Sequence, residues 1–91
     1  MSESPAQPQI RVYSKDHCRH CVSAKSLLTR LEIPFDEVDL TGDVDAQVDL
    51  ARRTGQMTLP QIEIGGTSIG GFTELEQAVR EGRLGELLAV G

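Results

Sequence analysis

What most constrains this chain is the order strand, helix, strand in its first forty residues, with two cysteines where the first strand hands over to the helix. Gln9 to Ser14 places Ile10 and Val12 on one face and Tyr13 on the other, with the β-branched character of a strand. Cys18 to Leu31 carries Val22, Ala24, Leu27, Leu28 and Leu31 at helical spacing, with no proline or glycine inside. After Pro34, the apolar Phe35, Val38 and Leu40 mark a second strand whose Asp36, Glu37 and Asp39 look toward solvent. A right-handed strand–helix–strand crossover makes these two strands parallel neighbours.

Thr41-Gly42-Asp43 then breaks the pattern, and Val44, Val48 and Leu50 to Arg53 form a helix ending at Gly55, a good left-handed terminator. Gln61 to Ile64 and Thr67 to Ile69 flank Gly65-Gly66, a hairpin signal that adds antiparallel strands. Thr73-Glu74-Leu75-Glu76 has the form of a capping box, Thr73 at N-cap and Glu76 at N3, opening a last helix with Leu75, Ala78 and Val79 on one side. Arg83 to Val90 adds a final turn or two, with Leu84, Leu87 and Leu88 packing back. The expected order is β-α-β-α-β-β-α, an α/β chain whose four-stranded mixed sheet is flanked by helices. Residues 10–91 make one domain behind a short disordered tail, residues 1–9. With 91 residues, the chain buries only about 60–65% of its unfolded surface, so the core is small.

No apolar run approaches the ~20 residues that span a bilayer. Met1 to Gln9 has neither a basic nor an apolar signal region, so the expected location is cytoplasmic. A formal charge of −5 argues against nucleic acid as a partner. The charge is unevenly placed, however: residues 11–30 hold five bases against the single acid Asp16, while the rest holds four bases against thirteen acids. That positive island contains both cysteines, His17 and His20, and suits an anion or a thiolate. For Lys25 and Arg30 a plain solvated helix face explains the charge equally well.

Cys18-Arg19-His20-Cys21 lies between strand and helix, the setting in which a CxxC is a redox pair. At the start of a helix Cys18 meets unpaired N–H groups and the positive end of the dipole, which favour thiolate over thiol. Lys15, Arg19 and His20 add positive charge, and such settings lower a thiol from about 8.5 to about 3.5–7.5. Cys21, one turn further in, is placed to resolve a mixed disulfide formed at Cys18. A structural staple fits poorly, since so short a loop removes little chain entropy. Zinc fits poorly too, because neighbouring residues at a helix start cannot surround an ion and no second CxxC exists. Inert core cysteines sit badly beside Arg19 and His20.

From Ile10 to Leu88 the chain resembles the glutaredoxins, through Tyr13-Ser14-Lys15, Cys18-x-x-Cys21, Thr58-Leu59-Pro60 and Gly70-Gly71 ahead of the last helix. The resemblance implies a thioredoxin-like fold and a glutathione-dependent thiol–disulfide oxidoreductase. It also implies a cis Pro60 facing the cysteines and Leu59 as the residue whose backbone pairs with the cysteine of glutathione. Phe72 and Thr73, beside Gly71, would hold the γ-glutamyl carboxylate at the helix start, and Lys15 and Gln56 would meet the glycyl carboxylate. Thr58, of the Thr58-Leu59-Pro60 piece, belongs to the implied glutathione groove as well, and His20 stands where the family commonly has an aromatic residue. Two departures follow: Arg19 and His20 replace Pro-Tyr or Pro-Phe between the cysteines, and Thr73-Glu74 replaces an acidic pair, so amine recognition shifts to Glu74 or weakens.

The expected partners are glutathione and glutathionylated or disulfide-bonded proteins, the chain working as a monomer without membrane or resident metal. Two alternatives stay open. One is a hydrogen donor dependent on thioredoxin reductase; the other is a dimer bridged by a [2Fe-2S] cluster with glutathione as co-ligand.

Overall fold

In the computed structural model, which describes residues 10–85, the elements follow the expected order. They are β1 (Ile10–Ser14), α1 (Arg19–Arg30), β2 (Phe35–Asp39), α2 (Val44–Thr54), β3 (Gln61–Ile64), β4 (Thr67–Gly70) and α3 (Phe72–Arg80). The expected N-terminal tail and the packing of Leu87 and Leu88 lie outside the described residues. The sheet order is β2-β1-β3-β4. β1 runs parallel to β2 from Ile10↔Phe35 to Ser14↔Asp39, and antiparallel to β3 from Ile10↔Ile64 to Tyr13↔Gln61. The Gly65-Gly66 loop turns β3 into an antiparallel β4.

Strand alternation divides the core in two. Ile10, Val12, Ile62 and Ile64 meet Ala24 and Leu28 of α1, Leu75 of α3 and Leu84 on one face. Tyr13 meets Leu40 and Leu50 on the other, where α2 lies. Leu28, Ile62 and Leu75 are fully buried, each stabilising by about 1.5–3 kcal/mol. The stripe of α1 that faces the sheet is Cys21, Ala24 and Leu28. Val22, expected on it, is 60% exposed, because one helix face cannot hold Cys21 and its neighbour Val22 together, and Leu31 is 42% exposed as the C-cap beyond the last helical turn.

α2 is capped at both ends: the Asp43 carboxylate accepts the Ala46 N–H at 3.0 Å, and Gly55 closes the helix at φ +78°. α3 corrects the sequence expectation. It starts at Phe72 with Gly71 as N-cap, so Thr73 lies inside the first turn, and the N3 residue is Glu74, not Glu76. The Glu74 carboxylate accepts the Gly71 N–H at 2.7 Å, while glycine offers no side chain in return, so only half a capping box forms. The cause is Gly70, whose φ of +113° ends β4 and lets the chain enter the helix two residues early.

Candidate active site

Cys18 is the N-cap of α1, with extended backbone at φ −120° and ψ 104°. Its sulfur takes the place of the usual hydroxyl or carboxylate and accepts the Cys21 N–H at 3.2 Å. The first turn holds no acid, so nothing there opposes a negative charge on that sulfur. Lys15, His17, Arg19 and His20, its neighbours along the chain, are all exposed. Cys18 and Cys21 are joined as a disulfide. Cys18 is half-buried, whereas Cys21 is 1% exposed and packed under the helix. An incoming disulfide can therefore reach Cys18 and not Cys21.

The Leu59–Pro60 peptide is cis, and the Cys18 sulfur lies 3.6 Å from the Leu59 carbonyl oxygen. α3 starts against the next peptide, Pro60–Gln61: a Cβ on Gly71 would come 3.2 Å from the Pro60 carbonyl oxygen, a tight contact that glycine avoids. Between them runs a cavity of about 360 Å³ lined by His20, Gln56, Thr58, Leu59, Pro60, Gly71, Phe72, Thr73 and Glu74. All the groove residues singled out from the sequence meet there except Lys15, which stands exposed outside the lining. The His20 ring lies against Phe72, centroids 6.1 Å apart and tilted by 33°, so His20 bridges the cysteine turn and the start of α3. Glu74 adds a carboxylate to the same wall.

Sequence reasoning missed the polar residues behind this groove. Gln61 is 2% exposed and its Nε2 donates to the carbonyl oxygens of Gln56 at 2.8 Å and Thr58 at 3.1 Å. Glu63, 7% exposed, accepts the Tyr13 hydroxyl at 3.3 Å and the Arg53 guanidinium at 3.4 Å. Their alternation with Ile62 and Ile64 assigns them to the opposite sheet face, but not to burial. Two polar residues two apart on a strand, next to a loop whose carbonyls need donors, are the signal that was available. Across the sheet, Glu37 accepts both the Lys25 ammonium at 2.7 Å and the Ser14 hydroxyl at 2.6 Å, tying α1 to β2 and to the end of β1. Lys25 and then Ser14 hold the Glu37 carboxyl below its ordinary pKa.

Comparison with known proteins finds this arrangement elsewhere. Residues 10–69 match the family model described as glutaredoxin. A glutaredoxin of Pseudomonas aeruginosa is 38% identical over 82 residues, covering 90% of this chain and 98% of that protein. Glutaredoxin 3 of Escherichia coli K12 is 33% identical over 79 residues, covering 87% of this chain and 95% of that protein. Among solved structures, a buckwheat glutaredoxin–glutathione complex superposes with a TM-score of 0.81 at 34% identity, over 89% of this chain and 76% of that one.

Proposed function

The chain belongs to the glutaredoxin family and is a glutathione-dependent thiol–disulfide oxidoreductase, and on that premise we propose that Cys18 attacks, Cys21 resolves, and the groove beside Pro60 binds glutathione. The observation that carries the assignment is the asymmetry of the pair: an accessible sulfur at a helix N-cap and a buried partner one turn in.

With a glutathionylated protein, the Cys18 thiolate attacks the glutathione sulfur. A Cys18–glutathione disulfide forms, and the protein thiolate leaves and takes a proton from solvent. A second glutathione thiolate then attacks the glutathione sulfur bound to Cys18, giving oxidised glutathione and the Cys18 thiolate. With a protein disulfide, Cys18 forms the mixed disulfide and the Cys21 thiolate attacks the Cys18 sulfur. That step releases the second protein thiolate and leaves the Cys18–Cys21 bond, which two glutathione molecules reduce in turn.

Physical arguments support the groove assignment. The unpaired N–H groups of the first α3 turn at Phe72 and Thr73 suit the γ-glutamyl carboxylate, and Glu74 offers a carboxylate to the neighbouring amine. Gln56 and the long, exposed Lys15 are assigned to the glycyl carboxylate. Protein disulfides and glutathionylated proteins are the proposed substrates, with a monomer working in the reducing cytoplasm, where glutathione keeps the pair turning over. Turnover of a small glutathione mixed disulfide with glutathione, glutathione reductase and NADPH tests this reading. No turnover there, with efficient reduction by thioredoxin reductase, would reassign the donor.

The cluster-bridged dimer has one feature in its favour: Arg19 in place of proline keeps a backbone N–H and a free φ next to Cys18. No group of three or more metal-ligating side chains exists among the described residues, so the ligands would be Cys18 from two chains and two glutathione sulfurs. Anaerobic reconstitution with iron, sulfide and glutathione tests it: a brown dimer whose colour is lost in Cys18→Ser supports the cluster, and a colourless monomer refutes it.

A further inference from the structure

We propose that Gln61 is a positioning residue for glutathione recognition, holding the Thr58–Leu59 peptide so that the Leu59 N–H faces the groove. This rests on the glutathione reading above and adds to it the group that sets the geometry. Gln61 opens β3 directly after Pro60 and is 2% exposed. Both hydrogens of its amide are committed, one to the Gln56 carbonyl at 2.8 Å and one to the Thr58 carbonyl at 3.1 Å. The orientation of the amide is fixed, since turning it over would set its oxygen against two carbonyl oxygens.

A trans peptide is planar, with its C=O and N–H pointing in opposite directions. Drawing the Thr58 carbonyl inward onto Gln61 therefore drives the Leu59 N–H outward. Gln56, Thr58 and Leu59 line the cavity while Gln61 lies behind them, so outward is toward the groove. The same argument turns the Met57 N–H out, in keeping with a Met57 side chain that is 82% exposed. Gln61 Oε1 is buried and has no hydrogen-bond partner among the described residues. Methionine would fill similar space without that unsatisfied oxygen, so the two bonds from Nε2 are what the position requires.

Glu63, on the same face of β3, extends the device. It binds Arg53 near the end of α2, where the chain enters the loop that Gln61 then anchors.

The test compares wild type with Gln61→Met in the full chain. Loss of one aimed hydrogen bond to the substrate predicts a KM for a glutathione mixed disulfide raised about three- to tenfold. kcat and the rate of Cys18 alkylation by iodoacetamide should stay at wild-type values. In amide NMR, S-methylglutathione should shift the Leu59 N–H resonance of wild type and leave it in place in the variant. An unchanged KM, a parallel fall in kcat and alkylation, or a Leu59 shift retained in the variant would overturn the positioning role. A wild-type Leu59 resonance indifferent to S-methylglutathione would instead sink the glutathione groove itself. Should Gln61→Met fail to fold, Gln61→Asn, whose shorter amide cannot span both carbonyls, carries the same expectations.

Discussion

The Cys18 sulfur and the Cys21 backbone N–H are hydrogen-bonded at 3.2 Å, so the reactive sulfur is also the cap of its own helix. Reduction places a thiolate on a donor and a dipole already aimed at it, which stabilises the attacking form without rearrangement. Cys18→Ser should accordingly abolish every disulfide-exchange activity. Cys21→Ser should keep removal of glutathione from mixed disulfides and lose reduction of protein disulfides. The two assays run side by side check this, and the opposite pattern would exchange the roles.

His20 shares the groove wall with Phe72, one residue before Cys21, close enough in sequence to stabilise negative charge on Cys18. Replacing it by tyrosine removes a cationic or hydrogen-bonding imidazole from the cysteine turn. His20→Tyr should slow Cys18 alkylation at neutral pH and make the pair more reducing in equilibrium with glutathione. Unchanged alkylation and potential would leave His20 as wall alone.

Glu74 caps Gly71 and also lines the groove, and one substitution separates the two roles. Glu74→Gln keeps an oxygen for the Gly71 N–H, since glutamine serves at N3 as glutamate does, but loses the negative charge. The melting temperature should stay within about 2 °C of wild type, while KM for glutathione rises about three- to tenfold as the amine loses a charged partner. A fall in melting temperature with unchanged KM would show the cap to be its whole role.

The Glu37 carboxylate, held below its ordinary pKa of 4.5 by Lys25 and Ser14, makes stability fall in acid. Its folded value lies below its unfolded one, so its contribution is present above about pH 4.5 and is lost as pH falls through the folded value. Side chains 31% and 37% exposed are screened by solvent, which limits that contribution to about 1 kcal/mol. Glu37→Gln should lower the melting temperature at pH 7, and the gap from wild type should narrow as pH falls below the ordinary value of 4.5. A gap of constant size would mean that the ion pair is not the source.

Much of this protein was legible in the chain because the signals are local. Alternation of Ile10, Val12 and Tyr13, glycines at the turns and a cysteine pair at a strand–helix junction each act within a few residues, and the element order with its mixed sheet followed from them. The placement of Phe72 and Thr73 beside Pro60 was legible only through resemblance, since 11 and 12 residues of chain lie between them and Pro60. Other features were settled by tertiary contact. Thr73 has the residues for a cap, yet the left-handed turn at Gly70 and the Glu74 carboxylate on Gly71 start the helix earlier. Gln61 and Glu63 alternate with Ile62 and Ile64 as the polar side of a strand would, and burial makes Gln61 a donor to the α2–β3 loop and Glu63 an acceptor from Tyr13 and from Arg53 of α2. The sequence by itself determined the order of elements and the chemistry of Cys18 and Cys21, since propensity and spacing are properties of neighbours along the chain. Which peptide faces of the 56–60 loop are presented to a ligand was decided only by the tertiary structure, because a backbone carbonyl turns toward whichever donor packing brings within about 3 Å of it.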